Sequence, residues 1–132
     1  MEIAINLGSI ALDGIEGIKQ LCARANTGNY DSFQFPVDTF YKVPAGKTLL
    51  ITELCYYSNA TSIILRIGYG DSSVSDSGSA PTNNKDVIEW LPCAEAYKPY
   101  KTNINIYIPE LKYPYCRSNN GAIGVSIRGV EL

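Results

Sequence analysis

From residue 33 onward the chain alternates short apolar stretches with breaks rich in glycine, proline and asparagine. Residues 102–108 alternate most cleanly. Ile104, Ile106 and Ile108 fall on one face and Asn103, Asn105 and Tyr107 on the other, the period of a half-buried strand. Residues 62–69 place Ile63, Leu65, Ile67 and Tyr69 on one face, and residues 122–132 turn Ile123, Val125 and Ile127 inward. Residues 48–57 are apolar at both parities, which predicts a central strand covered on both faces. Shorter candidates lie at 38–43 and 86–91. Turn chemistry separates them: Pro44-Ala45-Gly46-Lys47 presets a turn, and Asn120-Gly121 is a hairpin signal. Six strand candidates with no amphipathic helix between them predict an antiparallel β-sandwich or barrel.

The first thirty residues differ. Leu12, Ile15, Ile18 and Leu21 recur every three positions, close to a helical stripe. Asp13-Gly14-Ile15-Glu16 resembles a capping box, and Asn26-Thr27-Gly28 is a stop signal. Gly14 and Gly17 oppose a helix, each by about 1 kcal/mol. The segment therefore reads as an arm holding a short helix or strand. Residues 1–32 are expected to be an N-terminal extension and residues 33–132 the sandwich domain. On this reading residues 1–29 are an interaction arm whose removal leaves the β domain folded.

Length and composition narrow the function. A chain of 132 residues holds one core. Charged residues are 18% of it, below the usual quarter, and the net charge is -2, the wrong sign for a partner with a phosphate backbone. Nucleic acid is thus not an expected partner. No apolar run approaches the roughly 18 residues of a spanning helix, and the start, Met1-Glu2-Ile3-Ala4, lacks a basic, then apolar leader. No membrane partner and an intracellular site of synthesis are expected. The absence of histidine excludes Ser-His-Asp and Cys-His nucleophile systems and His-ligated zinc. The cysteines, Cys22, Cys55, Cys93 and Cys116, are too scattered for a zinc or redox pair. Three disulfide pairings remain open, and four separate buried thiols is the simplest reading.

Few constellations carry chemistry. The polar stretch 70–86 offers Asp71, Asp76 and Asp86 to calcium, but without the alternate-residue spacing of a calcium loop, so it reads as an exposed, mobile loop. Glu53, Glu89, Glu95 and Glu110 could supply a glycosidase pair, although no spacing selects two of them. Asn59-Ala60-Thr61 matches the glycosylation triplet. No phosphate loop, dinucleotide fingerprint or nucleophile elbow occurs, so neither an enzyme nor a cofactor or metal is expected. Trp90 reads as core. Five of the ten tyrosines, Tyr97, Tyr100, Tyr107, Tyr113 and Tyr115, cluster among Pro99, Pro109 and Pro114. Large rings with a hydroxyl suit a subunit interface or a sugar platform, so these five are the candidate partner-binding residues, against padding of a sandwich edge.

Three segments carry a resemblance: Phe40-Tyr41-Lys42-Val43-Pro44-Ala45-Gly46-Lys47-Thr48-Leu49-Leu50-Ile51-Thr52, Tyr113-Pro114-Tyr115-Cys116-Arg117-Ser118, and the ending from Gly121 to Glu131. Together they resemble small jelly-roll proteins of tailed-phage virions, the head decoration or cement group, over about residues 36–132. The resemblance implies a jelly-roll-like sandwich with an N-terminal extension, made in the host cytoplasm and resident in the virion. It also implies a homotrimer that clamps the major capsid protein and has no catalytic residues. The alternative from a different class is a carbohydrate-binding or receptor-binding module with a glycan partner.

Overall fold

The computed structural model describes residues 17–34, 39–60, 63–93 and 95–132, and of residues 63 and 89–93 the backbone only. Eight strands run through them: β1 (Ile18–Ala25), β2 (Tyr30–Ser32), β3 (Leu49–Ser58), β4 (Ile63–Gly70), β5 (Lys85–Cys93), β6 (Tyr100–Ile108), β7 (Tyr113–Ser118) and β8 (Ile123–Glu131). They form two antiparallel four-stranded sheets, ordered β1-β8-β3-β6 and β2-β7-β4-β5. The described residues include no helix, and so none long and apolar enough to cross a membrane. The pairing is nested: β1 with β8, β2 with β7, β3 with β6 and β4 with β5. Two further ladders, β3–β8 and β4–β7, join these pairs into the sheets.

One core lies between the sheets. Leu21, Leu49, Ile51, Leu54, Ile108 and Ile127 from the first sheet meet Leu65, Ile67 and Cys116 from the second, all nearly or fully buried. The alternation expected along β6 and β8 holds: Ile106 and Ile108, and Ile123, Val125 and Ile127, are buried, and Ile104 packs against the core. The expected turns form, with Gly46 and Gly121 at φ of 77° and 70°, angles that a side chain would strain. Lys47 donates its N–H to the Pro44 carbonyl at 3.1 Å.

Four expectations change. First, β3 is central but is not covered on both faces. A bulge between Ile51 and Glu53 shifts its parity, so Leu49 and Ile51 face inward before it and Leu54 and Tyr56 after it. The apolar residues at both parities reflect that bulge. Second, residues 38–43 are not a regular strand. Phe40 makes an isolated bridge to Gln34, and Tyr41 and Val43 are buried in the crossing from β2 to β3 (residue 38 lies outside the described residues). Third, β7 was not among the strand candidates, because Pro114 and Arg117 broke its pattern. Fourth, residues 17–32 of the expected extension belong to the sandwich, while residues 1–16 lie outside the described residues. β1 pairs along its whole length with β8, from Ile18↔Val130 to Ala25↔Ile123, and β2 pairs with β7. Ile18 and Leu21 of the helical stripe lie in β1, and Leu12 and Ile15 are outside the described residues.

Among the described side chains three cysteines are free: Cys22 exposed, Cys55 half-buried, Cys116 buried; the side chain of Cys93 lies outside the described ones. The reading of four buried thiols therefore fails at Cys22. Cys22 and Cys55 both sit opposite Ser126, two strands apart. That is about 10 Å, too far for a disulfide without backbone movement. Burial pushes the Cys116 thiol far above its ordinary value, with the charges of Asp31 and Asp76 adding to the shift. In a thiol-labelling time course, Cys22 is expected to react in the native protein and Cys116 only after unfolding. Mass spectrometry of the labelled peptides checks this; native labelling of Cys116 would contradict its burial.

Candidate functional site

The two sheets differ in what lies on their outer faces. Over β2-β7-β4-β5 the polar stretch 71–84 folds back on the sheet. Tyr30 and Ser77 exchange backbone hydrogen bonds at 2.7 and 2.9 Å, and Ser32 donates to Val74 at 2.9 Å. Asp31 accepts from the Asp76 N–H at 2.9 Å, and Asp76 accepts from the Asn26 N–H at 2.8 Å. The stretch expected to be a mobile loop is thus tied to the free edge of β2. Its acids do not converge: Asp71 is held by Lys112 and Asn83, Asp76 by Asn26 and Asn29, and Asp86 by Tyr115. Among the described residues no three potential ligands gather as a metal site.

The outer face of β1-β8-β3-β6 carries no such cover among the described residues, and register resolves it into four rows. The first is apolar across all four strands: Ile18, Val130, Leu50 and Tyr107. The second, Gln20, Arg128, Glu53 and Asn103, is polar. The third is Cys22, Ser126, Cys55 and Lys101, whose Nζ reaches Glu53 at 3.1 Å. The fourth is Arg24, Gly124 and Tyr57. Two concavities lie along this face. One of about 820 Å³ includes Ile18, Val130, Arg128, Glu53 and Asn105. The other, about 480 Å³, lies at the Arg24 end.

A tyrosine lies over a glycine of the neighbouring strand on each outer face. A Cβ at Gly124 would meet Cε1 of Tyr57 at 2.7 Å, so that ring lies across β8, and its hydroxyl accepts from Arg24 Nη2 at 2.9 Å. A Cβ at Gly68 would meet the Tyr115 hydroxyl at 2.6 Å and the Lys85 carbonyl oxygen at 2.1 Å. The two sites should respond differently to alanine. At Gly68 backbone must move, and a loss of about 1–3 kcal/mol is expected. At Gly124 the obstacle is the far end of a side chain, so stability should barely change while Tyr57 swings aside. Urea unfolding of both variants checks this; equal losses would contradict the arrangement.

The five candidate tyrosines do not form one surface. Tyr115 is fully buried, stands edge-on to Tyr30 at 5.4 Å and donates its hydroxyl to Asp86. Burial raises its pKa far above the ordinary phenol value, and it is not available to a partner. Tyr100 stacks on Tyr56 at 5.4 Å and accepts from the Glu95 N–H. Tyr113 is half-buried under Lys42, whose Nζ is 5.6 Å from its ring centre. Tyr107 and Tyr97 are the open ones, 59% and 73% exposed. Tyr97 holds φ at 59°, a conformation that costs a non-glycine residue roughly 1–3 kcal/mol. Sequence reasoning missed Tyr57, because its place over Gly124 depends on the pairing of β3 with β8.

The carboxylates also have separate partners: Glu53 with Lys101, Glu95 with Lys98 at 3.5 Å, and Glu110 with the Gly46 N–H at 2.7 Å. The side chains of Glu89 and Trp90 lie outside the described ones. Asn59 of the glycosylation triplet accepts from the Ala122 N–H at 2.8 Å, closing the end of the sheet. Comparison with protein-family models, with characterised proteins and with solved structures finds no match to this chain.

Proposed function

We propose that the chain is a jelly-roll structural subunit of a virion, of the head decoration type, which works by binding and performs no chemistry. The nested order supports the jelly-roll reading. Four antiparallel pairs, β1:β8 to β4:β5, correspond to one long hairpin wound into two sheets, the double Greek key of that fold. The observation that carries the binding reading is the apolar row Ile18, Val130, Leu50 and Tyr107 on an outer sheet face. Three of its side chains are half-buried and Tyr107 is exposed, and such an apolar row bordered by polar residues suits contact with a protein partner. The proposed partners are further copies of the chain, as a homotrimer, and the major capsid protein; the proposed location is the virion.

Co-sedimentation with shells of the encoding virus that lack this protein tests the proposal. Saturable pelleting is expected, and it should be lost in Leu50→Asp, which places a charge in the apolar row. No pelleting above that of the protein alone, or unchanged pelleting by the variant, would contradict it. The glycan alternative keeps one observation in its favour, the open ring of Tyr57 over Gly124.

A further inference from the structure

We propose that the concavity at the Arg24 end of the β1-β8-β3-β6 sheet binds an acidic sugar, a pyranose ring carrying a carboxylate, as in a uronate or a sialate. This goes beyond the assembly reading and does not depend on it. The apolar row lies at the other end of β1, six residues or about 20 Å away, so the two surfaces can be occupied together.

The chemistry follows from the floor and rim of the site. Its volume, about 480 Å³, is in the range of small-ligand clefts. The tip of the Tyr57 ring lies against Gly124, and the residue remains 39% exposed, which leaves part of the ring open to a ligand. A flat ring held against backbone is a stacking platform, and it loses little entropy on binding because its hydroxyl is already tied to Arg24 at 2.9 Å. A pyranose offers an apolar C–H face for that platform and hydroxyls around its edge. Gln34, brought beside Cys22 by a pair of backbone bonds of 3.2 and 2.8 Å, and Ser126 supply polar groups at the rim. Pro99 adds an aliphatic wall.

Charge selects the acid. The Arg24 side chain is exposed and presents a planar fork of N–H donors suited to a carboxylate. Asp31 also lines the wall, but both of its oxygens accept backbone N–H groups, from Arg24 at 2.8 Å and from Asp76 at 2.9 Å. Burial also holds its carboxyl above the usual range. A planar aromatic acid is the competing occupant, although it would leave the rim amide and hydroxyl without partners.

The test is an NMR titration of the full chain with four probes: methyl glucuronide, the methyl glycoside of N-acetylneuraminic acid, methyl glucoside and benzoate. At least one acidic sugar should give saturable shifts at amides around Tyr57 and Gly124, with methyl glucoside about tenfold weaker or more. Tyr57→Ala should weaken the acidic sugar by about tenfold or more, and Arg24→Gln should abolish the preference for acid over neutral sugar. Tyr57→Phe, which keeps the ring, should bind within a few-fold of the parent and covers the case in which the alanine variant fails to fold. The proposal is overturned if neither acidic sugar saturates or if the neutral sugar binds equally well. Tighter binding of benzoate than of both acids, or an effect of Tyr57→Ala no larger than that of Tyr57→Phe, would also overturn it.

Discussion

A chain lacking residues 1–29 is expected to lose cooperative folding. The deletion removes all of β1, whose eight residues pair in unbroken register with β8. It exposes a nine-residue edge, Ile123–Glu131, rich in β-branched residues, which invites association with other chains. It also removes Leu21, Ala23 and Ala25 from the core, each nearly fully buried. Losing a buried leucine alone costs about 2–5 kcal/mol, against a total stability of about 5–15 kcal/mol for a domain. The backbone bonds between Cys22 and Gln34 and the bond from the Arg24 N–H to the Asp31 carboxylate go with it. Circular dichroism with urea titration should find insoluble protein or a broad, non-cooperative transition. A sharp transition with the parent slope would mean that β1 is dispensable, as the sequence alone suggested.

The second large effect separates two adjacent residues on β3. Leu54→Ala is expected to cost about 2–5 kcal/mol, because Leu54 is fully buried between the sheets. Glu53→Ala should change stability little, since Glu53 faces outward and its pair with Lys101 is screened by water. Without the bulge at Ile51/Glu53 these roles would reverse: residues 49, 51, 53 and 55 would share the core face. Urea midpoints of the two variants, at unchanged slope, therefore test the register directly. A larger loss at Glu53 than at Leu54 would place the bulge elsewhere or remove it.

That pair also shows how far the sequence could be read. Where period-2 alternation ran unbroken, as in residues 102–108 and 122–132, the strand and its inward face were both legible. In β3 one inserted residue put apolar side chains at both parities, and a local pattern could not tell a bulge from double coverage. β1 was obscured for another reason: its spacing at Ile18 and Leu21 fits a helix as well, and only the pairing with β8 decides between them. The five-tyrosine cluster was legible as composition but not as a surface. Alternation along β6 turned Tyr107 outward, whereas the returning stretch 71–84 and Asp86 enclosed Tyr115. Tyr57 and Arg24 lie 33 residues apart, and only sheet order brings them together.

Native mass spectrometry of the purified full chain tests the assembly claim most directly. A species of three chains, each of 14.4 kDa, is expected, and Leu50→Asp should return it to single chains. A monomer of 14.4 kDa for the parent protein, persisting at high micromolar concentration, would contradict the account.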